Sequence, residues 1–373
     1  MIKTVPIVFF LAFVFSFELI GQEEFSSESE LKAKANELFD ESKFVEAAPL
    51  FSQLLSLYPK EVEYNFKYGA SLIFAAEDKS KPIKYLQFAA SKSTADPLVH
   101  YYLGFAYHLN YNFSKAIRHY NRFKARASNS DVEALNVERK IEMCKNGSKL
   151  LSKISEVQVV DKKVVPEDNF YRSYKLDGIE GKIIAKPSAF QSKEDQKVND
   201  KSVIYLPDGA QEVIYPSYGK KGDQGLDLYK VVKLENGSWS EPVILGPNIN
   251  TPYDENYAFI HPDGKTLYFA SKGYNSMGGY DLFKSIYNQE MNEWGEPENL
   301  GFAFSSTADD ILFVTDKRGE FAYFASNRAN IHGELSIYKV LIKTKPVELS
   351  LIQGDLIHEG SNETPKAKIT VLN

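Results

Sequence analysis

This sequence contains very little cysteine, tryptophan or methionine. Of its 373 residues, one is cysteine, two are tryptophan and four are methionine. Cys144 has no second thiol in the chain to pair with, so an internal disulfide is excluded. There is no cysteine cluster, and the six histidines do not fall in the spacing of a zinc protease motif. We therefore expect no metal site.

The chain also lacks an excess of positive charge. Lysine and arginine total 44 against 50 aspartates and glutamates, which gives a formal net charge of −6. A basic excess is needed to neutralise a phosphate backbone, so we expect no nucleic-acid partner. Aromatic residues are plentiful instead, with 23 tyrosines and 25 phenylalanines. These residue types suit sheet surfaces and protein interfaces.

An apolar run stands at the N-terminus. Residues 1–21 combine Lys3, an almost continuous apolar stretch over residues 5–17, and the small residue Gly21. This order predicts a secretory signal peptide. The alternative is a permanent membrane helix, although the run is short for that purpose and Glu18 interrupts its end. An exported chain without disulfides indicates a bacterial envelope protein. We expect a periplasmic protein, associated with the outer membrane, with no membrane span after signal cleavage.

Residues 28–151 carry a repeat of 34–35 residues. Small residues and large apolar residues recur one unit apart: Ala35, Gly69 and Gly104; Ala47, then Pro82 in the second unit, and Ala116; Phe51, Leu86 and Tyr120. Small residues that alternate with large ones let the two helices of a hairpin approach closely. The pattern therefore predicts three helical hairpins, and Val132 to Leu151 predicts a capping helix after them. This repeat resembles the tetratricopeptide repeat, which implies an α-solenoid.

The resemblance also implies a concave face, lined by the first helix of each unit. Seven residues would face that groove: Lys32, Asn36, Phe66, Ala70, Tyr101, Phe105 and His108. Two hypotheses stay open at this point. Either the groove holds a peptide or helix of a protein partner, or these helices pack against the region that follows in the chain.

A second repeat, of 55 residues, occupies the second half of the chain. Positions one unit apart carry the same residue or the same chemistry: Trp239 and Trp294, Asp254-Glu255 and Asp309-Asp310, Gly264 and Gly319, Tyr268 and Tyr323. Each unit combines apolar strands with a hairpin turn and a glycine-rich loop. Such a unit cannot bury its own apolar face, so it must stack on its neighbours.

This second repeat resembles the WD40-like β-propeller repeat of exported bacterial proteins. The resemblance rests on Pro262-Asp263-Gly264-Lys265, the following strand at 267–271, and Gly278-Gly279-Tyr280-Asp281-Leu282. It implies a propeller over residues 154–345. Three units are clear, and a closed ring needs at least about four blades. We expect residues 154–195 to supply a degraded fourth blade that includes a strand at 182–185. The alternative is an incomplete ring.

The recurring acidic pairs could hold a cation. We favour a structural role, in which each carboxylate accepts backbone N–H bonds at the start of a unit. Asp227 and Asp281 would hold turns in the same way. The loop Gly273–Gly279 comes near a nucleophile elbow around Ser276, but residue 274 is tyrosine where that motif has glycine. We therefore expect no catalytic residue and no cofactor.

Residues 346–373 look like the start of a carboxypeptidase-regulatory-like β domain. The whole order resembles a group of outer-membrane-associated, OmpA-family proteins, some of which serve type IX secretion and gliding. Members often bind peptidoglycan through a final OmpA-like domain, which these 373 residues do not contain. We expect a non-enzymatic envelope scaffold that binds envelope proteins. The alternatives are a propeller that senses a glycan or peptide, and a fragment of a propeller hydrolase.

Overall fold

The computed structural model describes residue 25 and residues 27–151, 157–220 and 225–342. The signal peptide at 1–21 and the β domain expected at 346–373 lie outside the described residues. Within the described part of the chain, a helical region (residues 27–151) precedes a strand-rich region (residues 157–342). No described helix has the length and apolar character that crossing a membrane requires.

The helical region consists of consecutive α-helices joined by short connections. In chain order they are α1 (Glu28–Asp40), α2 (Phe44–Leu57), α3 (Val62–Ala75), α4 (Lys81–Ala90), α5 (Leu98–Leu109), α6 (Phe113–Lys124), α7 (Asn129–Ala134) and α8 (Val137–Leu150). Side chains cap some of the first turns: Ser27 accepts the N–H of Glu30, and Asn112 accepts that of Lys115. Each of α1 to α6 packs mainly on its neighbours in sequence, which confirms the three predicted hairpins.

The predicted contacts between small and large residues are also present. A Cβ atom added at Gly69 would lie 2.8 Å from Cγ of Leu86. At Gly104 it would lie 2.9 Å from Cδ1 of Tyr120. The paired helices can approach this closely only because these two positions carry no side chain.

The capping segment differs from the prediction. A single helix was expected from Val132 to Leu151, but two helices, α7 and α8, meet at Asn136. Asn136 has a φ of 48°, in the left-handed region where asparagine is tolerated better than most residues. This break ends α7 and gives α8 its own direction. Gly147 of α8 then lies directly against the ring of Phe113.

Besides two 3₁₀-helices (Glu167–Ser173 and Ser188–Phe190), the strand-rich region consists of short strands and one short α-helix. They are β1 (Val157–Pro166), β2 (Lys182–Ala185), α9 (Lys193–Lys197), β3 (Val203–Leu206), β4 (Glu212–Ser217), β5 (Asp227–Val232), β6 (Val243–Ile244), β7 (Glu255–Ile260), β8 (Thr266–Ser271), β9 (Asp281–Asn288), β10 (Glu293–Trp294), β11 (Glu298–Asn299), β12 (Asp310–Thr315), β13 (Phe321–Ser326) and β14 (Glu334–Ile342).

These strands form four separate antiparallel sheets. β2 pairs with β3, and β4, β5 and β6 form a second sheet in that order. In the third sheet β7, β8 and β9 are neighbours, and β10 and β11 both pair with β9. The fourth has the order β1-β14-β13-β12. The sheets then pack on each other, chiefly where β7 meets β4 and where β12 meets β7 and β8.

The predicted strand positions of the 55-residue unit are confirmed in the third and fourth sheets. Both copies also share an irregularity that the sequence did not predict. The register of β7 against β8 shifts just beyond Asn256, and that of β12 against β13 just beyond Ile311. At these bulges Tyr257 and Leu312 have φ values of 54° and 52°. A left-handed backbone is unusual for such side chains, so the surrounding packing imposes it in both copies.

A degraded fourth blade was expected from residues 154–195. The described part of this segment forms no sheet of its own, because β1 pairs with β14 and β2 pairs with β3. The strand predicted at Lys182–Ala185 is confirmed as β2. Without this segment, β14 and β3 would each have an edge whose backbone donors and acceptors are unpaired. β1 pairs with the edge of β14, and β2 pairs with the edge of β3.

Candidate functional site at the junction of the two regions

The glycine-rich loop between β8 and β9 joins the strand-rich region to the helical region. Arg139 of α8 inserts its guanidinium group into this loop. Its Nη2 donates to the carbonyl oxygens of Lys272 at 2.6 Å and Gly273 at 2.9 Å, and to Oγ of Ser276 at 2.7 Å. Asn146, two turns further along α8, donates to the carbonyl oxygen of Ser276 at 3.2 Å. One face of α8 therefore binds the loop backbone at several points.

The same loop places an apolar side chain inside the helical core. Met277 is fully buried and packs in the cluster formed by α3 to α8. Nε2 of His108 lies 2.8 Å from the carbonyl oxygen of Met277 and donates to it. Burial lowers the pKa of His108 to about 4, and the positive charge of Lys140 acts in the same direction. His108 is therefore neutral near pH 7 and serves as a hydrogen-bond donor.

Two further loops of the strand-rich region contact the helices. The N–H group of His332, between β13 and β14, donates to the carbonyl oxygen of Phe74 at 2.9 Å. Nζ of Lys79 donates to the carbonyl oxygen of Asn330 at 2.7 Å. Before β12, the hydroxyl of Thr307 donates to the carbonyl oxygen of Leu109 at 3.3 Å. The junction thus uses three separate loops.

The first residue of each acidic pair links consecutive units. Oδ1 of Asp254 accepts the N–H of Leu226 at 3.1 Å, and Oδ1 of Asp309 accepts that of Tyr280 at 2.9 Å. A Cβ atom at Gly279, just before Tyr280, would collide with Asp309. The structural role predicted for these carboxylates is therefore confirmed. The glycine is needed because the carboxylate approaches the backbone so closely.

The second residue of each pair binds the loop before its own strand. Glu255 accepts the N–H of Thr251 at 2.8 Å and the hydroxyl of Ser271 at 2.6 Å. Asp310 accepts the N–H of Ser306 at 2.6 Å and forms an ion pair with Arg328. The two positions correspond, but only Asp310 has a cationic partner among the described residues. Burial raises the pKa of Glu255 to about 7.

Asp281 holds the tip of the glycine-rich loop. It is fully buried and accepts the N–H groups of Met277 and Gly278, both at 3.0 Å. This confirms the turn-holding role predicted for Asp281. Burial raises its pKa to about 7. Asp227 occupies the corresponding position one unit earlier and is also buried, but residues 221–224 of its loop lie outside the described residues.

A cavity of about 310 Å³ lies between the inner helices and the strand-rich region. Its helical wall includes Phe105, His108 and Lys140, and Asp309 and Glu167 stand on the opposite side. Nζ of Lys140 lies 4.7 Å from the centre of the Phe105 ring. Burial lowers the pKa of Lys140. No ion pair within the described residues involves this ammonium group.

The structure distributes the seven predicted groove residues over three environments. Phe66, Ala70 and Tyr101 are buried in the helical core. Phe105 and His108 line the cavity at the junction. The other two lie at the opposite end of the helical region. Oδ1 of Asn36 accepts a hydrogen bond from Nζ of Lys67 at 2.6 Å, and Nζ of Lys32 lies 3.9 Å from Oε2 of Glu63. Binding of a partner by these residues stays a prediction.

Sequence reasoning missed the residues that make the junction. Arg139 belongs to a segment that was interpreted only as a cap, and its neighbours Val137 and Ile141 are buried as the apolar pattern indicates. Met277 offered a clue, because it is an aliphatic residue in a glycine-rich loop that also contains asparagine and serine. Neither residue has a counterpart in the other repeats, so a search for periodicity could not find them.

Groups that could bind a metal or react as a nucleophile are few at this site. Within the ranges that the structure covers, no group of three or more His, Cys, Asp and Glu side chains could hold a metal ion. Ser276 is fully buried and engaged by Arg139. Cys144 is buried, which raises the pKa of its thiol to about 12 and keeps it protonated.

A scan against models of protein families and a search of curated proteins gave no match to this chain.

Proposed function

We propose that this protein is a non-enzymatic scaffold of the bacterial cell envelope, built from a tetratricopeptide α-solenoid and a WD40-like β-propeller. The observation that carries the proposal is the junction, where Arg139 binds the glycine-rich loop and Met277 of that loop packs in the helical core. A scaffold has to hold its binding surfaces at a fixed separation. A buried contact between two repeat arrays provides that, whereas a flexible linker does not.

The internal geometry of each region supports the two resemblances. In the helical region, small residues 34–35 residues apart in sequence lie against large ones, as the solenoid requires. In the strand-rich region the same acidic contacts recur after 55 residues, at Asp254 and Asp309. Pairing of the first strand, β1, with the last strand, β14, supports a ring that is closed by its own N-terminus.

We propose that envelope proteins bind at the open end of the helical region. Lys32, Asn36, Glu63 and Lys67 form a polar surface on α1 and α3 there. Its mixed charge suits a polar peptide segment better than an apolar helix. A role beside the type IX secretion and gliding machinery, or in organising the outer membrane, follows from the resemblance. Any contact with peptidoglycan would need a domain that these residues do not include.

The experiment that tests the scaffold is affinity capture from envelope extracts. Residues 22–373 serve as the bait, and a variant combining Lys32→Ala with Asn36→Ala serves as the test. We expect the bait to retain specific envelope proteins and the variant to lose those that use the helical surface. The matched control is Lys60→Ala, at an exposed site between α2 and α3. Recovery of no partner by the unmodified bait would contradict the proposal.

A second candidate function is the sensing of a small ligand at the junction cavity. Lys140 favours it, because a part-buried ammonium group without an ion pair is stabilised by a ligand that supplies a negative charge. Glycans and short peptides with a carboxylate are the probes to use. We expect them to raise the melting temperature of the protein and to have no effect on Lys140→Met. The exposed Lys145→Met, on the same helix, is the control. A flat response across the panel argues against this function.

A further inference from the structure

The strand β1 presents an exposed apolar edge. Five of its ten residues are valine. Val159 and Val160 are each 52% exposed and Val164 is 50% exposed. One edge of β1 pairs with β14, and no other strand of the described residues pairs with the opposite edge. At the other side of the same sheet every residue of β12 is buried. The two edge strands of this sheet therefore differ in burial: β1 is mostly exposed and β12 is buried.

An edge of this kind is a template for another strand. Its outward N–H and C=O groups have no partner in a ladder, and exposed valines make pairing more favourable. Natural proteins often protect such edges with charge, and β1 has Asp161, Lys162 and Lys163 at its centre. Neither Asp161 nor Lys163 forms an ion pair with any residue that the structure describes. Lys163 donates one hydrogen bond, to Oγ of Ser173 at 3.4 Å.

The sequence of β1 is complementary to itself when two copies run antiparallel. A twofold axis through Lys162 places Asp161 of each copy opposite Lys163 of the other. The flanking residues then match as Val160 with Val164 and as Val159 with Val165. Both charge pairs are attractive, and all four flanking pairs are valine with valine. Cross-strand pairs of these kinds stabilise antiparallel ladders.

The residue on the axis would face its own copy. Lys162 is held on its own sheet, where its Nζ lies 5.5 Å from the centre of the Tyr338 ring. This contact draws the ammonium group away from the axis. The ladder is short, because the register against β14 shifts between Val159 and Asp161. The stability of this ladder would therefore depend strongly on the two pairs between Asp161 and Lys163. Substitutions at these two positions should change dimerisation most clearly.

We propose that a second copy of this chain binds the free edge of β1, so that two β1 strands pair antiparallel around Lys162. The result is an isologous dimer, in which the same patch is used on both subunits. It joins two sheets into one sheet that continues across the subunits. The helical surface of α1 and α3 is not part of this contact.

The test uses the mature chain, residues 22–373, and its mass in solution by light scattering after gel filtration. We expect a dimer. Asp161→Lys places a lysine opposite Lys163 of the other copy, and Lys163→Asp places an aspartate opposite Asp161 of the other copy. Each variant turns two attractive pairs into two repulsive ones, so we expect dimerisation to weaken about tenfold or more. The double exchange, Asp161→Lys with Lys163→Asp, restores both attractive pairs and should restore the dimer.

Mixing the two single variants gives the sharpest outcome. Each is expected to dimerise weakly alone, but a heterodimer of the two has opposite charges at both pairs between positions 161 and 163 and should form on mixing. Unchanged circular dichroism shows that the exposed substitutions leave the fold intact. A monomeric mature chain overturns the proposal, and so does a dimer that is indifferent to all three variants. Amide hydrogen exchange that shows the outward-facing N–H groups of β1 protected in a monomer would mean that another segment of the same chain covers the free edge, which also overturns the proposal.

Discussion

The helical and strand-rich regions are stabilised in different ways. In the helical region the recurring contacts are matters of volume, such as Gly69 against Leu86 and Gly104 against Tyr120. In the strand-rich region the recurring contacts are carboxylates that accept backbone N–H groups, as the part-buried Asp254 and Asp309 do. Both regions are built from repeats, yet one repeats the shape of side chains and the other repeats hydrogen-bond acceptors.

This difference follows from the backbone. An α-helix satisfies its N–H and C=O groups within itself, so neighbouring helices need only fit together. A small sheet joined by long loops leaves N–H groups in those loops, and buried ones must find an acceptor. Carboxylates at fixed positions supply it. Substitutions in the two regions should therefore destabilise the protein by different mechanisms. The resulting losses of stability should also depend differently on pH.

The largest expected effect is the loss of a fully buried ring in the helical region. Phe51 of α2 has no exposed surface. We expect Phe51→Ala to lower the free energy of unfolding by about 4 kcal/mol through the cavity that it leaves. Urea denaturation followed by far-ultraviolet circular dichroism measures this, and the loss should be the same at acidic and neutral pH. Leu57→Ala, 59% exposed in the same helix, is the control. A loss below about 1 kcal/mol contradicts the role of packing.

The next largest effect concerns the ion pair between Asp310 and Arg328 in the strand-rich region. Asp310→Asn leaves Arg328 without its carboxylate, so we expect a loss of about 3 kcal/mol. Both tryptophans, Trp239 and Trp294, belong to this region, so their fluorescence reports its unfolding alone. Glu255→Gln removes the equivalent carboxylate, which has no cation among the described residues, and should cost less. Equal losses in the two variants would refute the importance of the ion pair.

A smaller effect concerns the connection between the regions. Arg139→Met removes the donors to the carbonyl oxygens of Lys272 and Gly273. We expect a loss of about 2 kcal/mol, because these part-buried and buried acceptors lose their partner. In the unmodified protein, circular dichroism and tryptophan fluorescence should report one transition, and in the variant they should separate. Lys145→Met, exposed on the same helix, should leave the transitions together. Separate transitions in the unmodified protein would show that the junction does not couple the regions.

The smallest effect is a pH dependence confined to the strand-rich region. Burial raises the pKa of Glu255 and of Asp281 to about 7. The folded state then holds protons that the unfolded state releases near pH 4, so stability falls as pH rises from about 4 to about 7. We expect this fall to appear in the tryptophan transition.

The double variant Glu255→Gln with Asp281→Asn should remove most of this slope, and Glu290→Gln, at an exposed site, should not. Asp195 is a contrast. Burial acts to raise its pKa, but hydrogen bonds from Tyr218 and Ser192 and from Lys186 lower it. The stability that ionised Asp195 contributes is therefore present at neutral pH, and it is lost only as the pH falls below the usual pKa of an aspartate. A slope unaffected by the double variant would show that other groups titrate in this window.

Much of the local structure could be predicted from the sequence. The spacing of Gly69 and Gly104 predicted the helical hairpins, and the paired positions of the 55-residue unit predicted the strands from β7 to β9 and from β12 to β14. The acidic positions Asp254 and Asp309 were predicted correctly as acceptors of backbone N–H groups. These features are local or recur at a fixed interval, so the pattern alone reveals them.

The junction and the destination of β1 could not be predicted in this way. Arg139 lies more than 130 residues before the loop that carries Met277, and neither feature repeats. Strand propensity placed a strand at residues 182–185 correctly, but it carries no information about which edge a strand will join. The segment at residues 154–195 is the example, because its strands pair with β14 and β3 and not with each other.

The sequence by itself determined the order of a helical and a strand-rich region and the residues that repeat within each. Periodicity, turn chemistry and the size of small residues are written along the chain, and they act between close neighbours. Only the tertiary structure decided that Met277 enters the helical core, that β1 pairs with β14, and that Phe105 and His108 line a cavity. Those outcomes depend on which buried donors, acceptors and apolar surfaces meet when distant segments pack, and no local pattern encodes that choice.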